Sequence, residues 1–220
     1  MPDYPSGMPI DRPILLLGGA PRVRVDVIRH ITVAATGTTA VALANALRNL
    51  GRSAQLMLSM DAAPTANAMR YSDRDALEEG LAAWIARNPE ACVVMTAALN
   101  DYRVSRVERW DGGEVRASRL GEKLPSGADE VVIRLAPVGK VIDQLRSGFG
   151  LRGPIVGFKY EEAATVLASA ETLRQRTGAA CVVANSLCGT VQALLDRGGI
   201  EQMPNRDTLI STLARRITAL

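Results

Sequence analysis

Histidine is nearly missing from this chain: His30 stands alone among 220 residues. That excludes a multi-histidine metal site and tells against a Ser/His/Asp triad. Cysteine is scarce and odd in number. Cys92, Cys181 and Cys188 show no metal-ligand spacing, and two of them lie in apolar runs, where reduced thiols are buried. That usage gives the expectation of a cytoplasmic protein. Aromatic residues make up 4% of the chain, too few for the stacking platforms of single-strand nucleic-acid binders. The net charge is +3, and the basic residues are scattered. A nucleic-acid surface needs a stripe, so the excess suits a small anionic ligand. No apolar run is long enough to span a bilayer, and Met1 to Arg12 carries prolines and acids without an apolar signal region. Neither a nucleic-acid nor a membrane partner is expected. Two phosphate-binding signatures are missing as well. Gly18-Gly19 lacks the spacing of a dinucleotide fingerprint, and no Walker lysine follows Gly37.

What is present is an ordinary core-forming composition, with 47% hydrophobic and 22% charged residues. The length fits one large α/β domain. The expectation is a loose tail over 1–12 and a single nucleotide-binding domain over 13–220. Apolar runs predict strands at Ile14–Leu17, Gln55–Leu58, Ala68–Tyr71, Val93–Met95, Val131–Leu135, Pro154–Tyr160 and Cys181–Ala184. Helices are predicted from Val41 to Leu50, from Ser72 to about Arg87, from Pro137 to Arg146 and from Ala163 to Arg176. Ser72 with Asp75 three residues later is a helix-start pattern, and Arg22–Thr32 reads as a polar loop. Trp110 to Glu114 marks a hairpin turn in the charged stretch Val104–Leu120. A hairpin of Thr190–Leu195 and Ile200–Met203, then a helix capped by Asn205, closes the chain. Strand and helix alternate. The fold class is therefore α/β: a Rossmann-like, doubly wound, mostly parallel sheet with a small antiparallel excursion and a C-terminal hairpin plus helix.

Two stretches carry the chemistry. Cys92 to Tyr102 begins as a strand buried on both faces, passes through Thr96, Ala97 and Ala98, and turns polar at Asn100 and Asp101. In an open α/β sheet, ligands bind just beyond the carboxyl ends of strands. Small side chains there let a flat ligand approach the backbone, and Asp101 offers a carboxylate to a base or a ribose hydroxyl. An ordinary buried strand ending in a polar turn reads equally well. The second stretch is Thr36-Gly37-Thr38 before a helical run. Free N–H groups at a helix start face phosphate oxygens, and either threonine is a candidate N-cap. A plain capped helix is the alternative. Lys140 falls in the first turn of a predicted helix, where a cation is unfavourable unless an anion lies nearby.

Four segments occur in register: Thr96-Ala97-Ala98-Leu99-Asn100-Asp101-Tyr102, Lys123 with Ser126-Gly127 after it, Gly157-Phe158-Lys159-Tyr160-Glu161, and Val183-Ala184-Asn185. Together they resemble the phosphopantothenate–cysteine ligase family of coenzyme A biosynthesis, in its stand-alone form, over Ile14 to Leu220. The resemblance implies a nucleoside triphosphate, CTP or ATP, with Mg²⁺ and a homodimer. A 4'-phosphopantothenate carboxylate attacks the α-phosphorus, and the amine of cysteine then displaces the nucleotide. It implies Lys123 as the catalytic mobile-loop lysine. Gly18, Thr36, Gly37, Thr38, Ala97, Ala98, Asp101, Lys140, Phe158 and Arg176 become the nucleotide set. Arg29, Thr32, Val33 and Asn185 become the substrate set, and no protein metal ligand is assigned.

The sequence departs from that family in one place. Where the family reads S-N-x-S-[ST]-G, this chain has Thr32-Val33-Ala34-Ala35-Thr36-Gly37, and Val33 replaces the asparagine that handles the acyl-nucleotide. Valine offers no polar group to orient a carbonyl or amide. Three readings follow: a working ligase in which Thr32 or Asn185 substitutes, a paralogue activating another carboxylate, or a nucleotide-binding relative without the second half-reaction. A nicotinamide oxidoreductase ranks below all three.

Overall fold

The computed structural model describes residues 12–118 and 122–220. The expected tail over 1–12 falls outside them, apart from Arg12. The chain starts its core with β1 (Ile14–Gly18), five residues all buried. Leu15 and Leu17 enter one apolar layer, Ile14 and Leu16 the other. Alternate residues of a strand point to opposite faces, so a strand covered on both sides is apolar throughout. Each fully buried leucine contributes about 2 kcal/mol.

The stretch expected as a polar loop folds into a small antiparallel hairpin of β2 (Val23–Arg24) and β3 (His30–Ile31), with Val23 paired to Ile31. Its turn is built around Asp26, whose carboxylate has no exposed surface. One oxygen accepts from the backbone N–H of Ile28 at 2.8 Å and of Arg29 at 2.6 Å. The other accepts from the backbone N–H of Leu124 at 3.0 Å and from the Arg29 guanidinium. Burial alone would raise this carboxyl's pKa. The N–H groups of Leu124, Ile28 and Arg29, with the Arg29 guanidinium, instead hold it well below the usual carboxylate range.

Helix α1 (Thr38–Asn49) begins three residues before the expected Val41, and its N-cap is Gly37 at φ 74°, not either threonine. The strands β4 (Gln55–Ser59) and β5 (Met69–Tyr71) follow as expected. Helix α2 (Arg74–Arg87) is capped by Asp73, one residue past the expected Ser72; its carboxylate accepts from the Ala76 N–H at 3.0 Å. Next come β6 (Cys92–Met95), then β7 (Tyr102–Asp111), β8 (Glu114–Ser118) and β9 (Glu130–Pro137). Pro137 pairs with Tyr102 and ends β9, so α3 (Val141–Ser147) starts later than expected and Lys140 is its N-cap residue. After β10 (Ile155–Glu161) comes α4 (Val166–Thr177), then β11 (Cys181–Ser186). The hairpin β12 (Gln192–Asp196) and β13 (Gly199–Gln202) leads into α5 (Arg206–Thr218), capped by Asn205, which accepts from the Thr208 N–H at 2.9 Å.

The main sheet has the order β13-β12-β11-β10-β6-β1-β4-β5. Its six strands from β11 to β5 run parallel, and the terminal hairpin adds antiparallel. The chain winds outward from β1 through β4 to β5, then returns through β6 to β10 and β11, the Rossmann order. Helices α2, α3 and α4 cover one face, and α1 and α5 the other. The order reverses between β1 and β6, which opens a crevice at their carboxyl ends. A separate three-stranded antiparallel sheet, β8-β7-β9, carries a small core of Val25, Val104, Val107 and Leu124.

The three cysteines separate cleanly. Burial pushes Cys92 up to about 12 and Cys181 up to about 11. Cys188 is exposed, and hydrogen bonds from Thr190 and Ser186 lower it to about 7. At pH 8, one equivalent of a thiol alkylator is therefore expected to enter the native protein, at Cys188, as read by peptide mass mapping. Modification of Cys92 or Cys181 at a comparable rate would contradict the burial.

Candidate functional site

A cavity of about 710 Å³ opens at the carboxyl ends of β6 and β10, between the start of α3 and the inner face of α4. Its floor is the segment after β6. Thr96 donates from its backbone N–H to the Leu17 carbonyl at 3.1 Å and from its hydroxyl at 2.6 Å; Ala98 N–H donates to the Gly19 carbonyl at 2.9 Å. The chain beyond β6 thus stays stitched to the chain beyond β1 across the reversal. Small residues here keep that floor flat.

Four cations line the cavity, and each is held by a carboxylate: Arg74 by Glu78 at 2.6 Å, Lys140 by Asp101, Lys159 by Glu161 at 2.5 Å, and Arg176 by Asp143 at 3.2 Å. The Asp101 carboxylate is the nearby anion that a lysine at the start of α3 requires. Lys159 is the first cause of the lowered Glu161 pKa, with the Ser169 hydroxyl second. The Lys140–Asp101 and Arg176–Asp143 pairs are solvent-exposed, and such pairs are worth about 0–1 kcal/mol each, so an incoming anion displaces them at little cost.

Of the residues singled out from sequence, the cavity gathers Val33, Ala97, Ala98, Asp101, Lys140, Phe158 and Arg176. The remainder stand elsewhere. Gly18 is buried, and a Cβ there would sit 2.8 Å from Ala40 Cβ and 3.3 Å from Gly37 Cα; its job is to let α1 approach β1. Gly37 caps α1 without a side-chain hydrogen bond, and the exposed Thr36 and Thr38 hydroxyls bond each other at 3.2 Å. Thr32 donates to the Pro21 carbonyl at 3.2 Å. Arg29 grips Asp26, and Asn185 lies beside Tyr160 at the end of β11. Lys123 is exposed on the loop before β9, next to the buried Leu124, and is not one of the lining residues.

Sequence reasoning missed Arg74, Lys159 and, Arg176 apart, the inner face of α4. The last was legible. Thr165, Ser169, Thr172 and Arg176 recur at helical spacing, and all four line the cavity. Among the described residues no group of three or more His, Cys, Asp or Glu side chains is placed to hold a metal ion, and no helix is long and apolar enough to cross a membrane.

A parallel sheet wound in Rossmann order, with a small-residue floor and an ion-paired rim beside its reversal point, defines a Rossmann-like α/β protein with a candidate ligand crevice. The chain belongs to the family of the DNA/pantothenate metabolism flavoprotein C-terminal domain, whose model matches residues 10–207. It is similar to the coenzyme A biosynthesis bifunctional protein CoaBC of Thermococcus kodakarensis, with 28% identity over 182 residues, 79% of this chain. It spans 41% of that relative's length. Among solved structures, the DNA/pantothenate metabolism flavoprotein of Streptococcus pneumoniae aligns with a TM-score of 0.78 at 16% identity, covering 94% of this chain and 99% of that one. The C-terminal domain of a CoaBC aligns with a TM-score of 0.68 at 20% identity, over 94% and 91% of the two chains. A Cab2 mutant in complex with phosphopantothenate-cysteine aligns with a TM-score of 0.74 at 13% identity, over 95% and 86%. These likenesses bear out the fold expected from the sequence.

Proposed function

We propose that this chain is a nucleoside-triphosphate-dependent ligase that joins 4'-phosphopantothenate to cysteine through an acyl-nucleotide, a step of coenzyme A biosynthesis. The observation that carries the reading is the gathering of Ala97, Ala98, Asp101, Lys140, Phe158 and Arg176 in one cavity at the carboxyl ends of β6 and β10, beside the strand-order reversal. Family membership and the name of the curated relative support it. In the first step a carboxylate oxygen attacks the α-phosphorus of CTP or ATP, and pyrophosphate leaves. In the second the amine attacks the acyl carbon, the nucleoside monophosphate leaves, and the nitrogen loses a proton. Asp101 holds a ribose hydroxyl or base, Lys140 and Arg176 exchange their carboxylates for phosphate oxygens, and the ammonium of Lys123 closes over the α-phosphate, where charge builds up. Mg²⁺ enters with the triphosphate; such ions are held mainly by phosphate oxygens and one or two carboxylates. The chain works as a homodimer in a cytoplasmic setting. Val131, Ile133 and Leu135, 42%, 36% and 44% exposed, form an apolar row on one face of β9 that a second copy would cover.

The direct test is pyrophosphate release with CTP or ATP in the presence of phosphopantothenate and cysteine. No release with either nucleotide would remove the reading. Asp101→Ala is expected to weaken nucleotide binding by about 10- to 100-fold, the worth of a hydrogen bond to a charged group. Titration calorimetry measures it, and an unchanged affinity would take Asp101 out of the site. A second reading is favoured by Val33, which brings an isopropyl group to the cavity wall where the resembling family has asparagine. On that reading the same activation serves a different carboxylate, and a panel of acids in the same assay decides between the two.

A further inference from the structure

We propose that Asp26 is the positioning residue that sets the Lys123 loop, tying it to the β2–β3 hairpin. The catalytic consequence rests on the ligase reading; the tether does not. Asp26 and Leu124 lie 98 residues apart, yet the Leu124 N–H donates 3.0 Å into a carboxylate sealed from solvent. The Arg29 guanidinium reaches across to the Leu124 carbonyl at 3.4 Å, so both backbone groups of Leu124 are engaged by the hairpin. Leu124 is 6% exposed, packed with Val25, Val104 and Val107. The next hold on the loop is Asp129, whose N–H donates to the Trp110 carbonyl at 2.9 Å and whose carboxylate accepts from the Gly112 N–H at 2.8 Å. Lys123 therefore hangs one residue from a fixed point. The same carboxylate organises the turn carrying Arg29, and Val33 of the cavity wall lies two residues past the end of β3. Asp26 thus holds the lysine loop and the segment leading to the cavity as one unit.

An isosteric Asp26→Asn change separates the two roles of the carboxylate. The amide oxygen still accepts from the turn, while the amide N–H₂ meets two donors, the Leu124 N–H and the Arg29 guanidinium. Hydrogen exchange at the Leu124 amide reads the tether without substrate. Faster exchange there, with the amides of β1 and β6 unchanged, supports it; unchanged Leu124 exchange overturns it. In the pyrophosphate assay, turnover is expected to fall about 10- to 100-fold with the nucleotide KM within about threefold, because misplacing a catalytic group by an ångström has effects of that size. Leu124→Ala, which keeps the N–H but removes the buried anchor, is expected to show the same split and covers the case in which Asp26→Asn fails to fold. If Lys123→Ala is inactive while Asp26→Asn and Leu124→Ala turn over normally, the positioning role is overturned. If Lys123→Ala is itself fully active, the loop's part in the ligase reading fails, and Leu124 exchange still decides the tether.

Discussion

Replacing Lys123 by alanine is expected to lower turnover by about two to three orders of magnitude while nucleotide affinity changes little. The size follows from removing one preorganised group from a developing oxyanion, about 2.7–4 kcal/mol. The split follows from geometry. Lys123 is exposed and does not line the cavity, so it is expected to add little to ground-state binding. On the proposed function it acts once the loop closes, and a contact made only in the transition state appears in kcat. Steady-state pyrophosphate release with a separate nucleotide titration gives both numbers. Equal losses in affinity and turnover would make Lys123 an ordinary binding lysine, and no loss would end its role.

The second large effect is structural. Gly19→Ala is expected to lower the thermal unfolding midpoint by about 10 °C, from roughly 3 kcal/mol of destabilisation in a chain of this size. Gly19 has φ +86°, and a Cβ there would stand 2.1 Å from Ser59 Oγ and 2.9 Å from Ser59 Cβ. Ser59 is 1% exposed and accepts from the Ala20 N–H at 3.2 Å, while the buried Tyr71 hydroxyl donates to the Gly18 carbonyl at 2.9 Å. The Ser59 backbone N would also stand only 3.2 Å from the new Cβ, so a side-chain rotation of Ser59 alone does not clear the clash. The Gly19 carbonyl also holds the cavity floor through Ala98, so on the proposed function nucleotide binding is expected to weaken with stability. A midpoint within about 2 °C of the parent would mean the turn accepts a side chain, against the left-handed strain argument.

Much of this was legible because it is local. The run Val93–Met95 and its small-residue exit announce a buried strand that ends at a crevice, and the alternation of runs gives the sheet. What failed depends on partners far along the chain. The Arg22–Thr32 stretch looks polar because Asp26 cannot reveal that Leu124 completes its shell. The helix-start offset from Ser72 to Asp73 is a choice between neighbouring oxygens that a spacing rule does not resolve. Pro137 suits a helix start as well as a strand end, and its pairing with Tyr102 decides. Within the site, Lys140 announced a need for an anion, but its identity, Asp101, is 39 residues away.

The ion-paired rim has a selective consequence. Because Arg74, Lys140, Lys159 and Arg176 each already hold a carboxylate, a lone oxyanion arriving at one of them merely trades places with an equal. A long polyanion that reaches several at once makes its later contacts at the high effective concentration that its first contact sets. On the proposed function, such a crevice would favour a long phosphate chain over a single short anion.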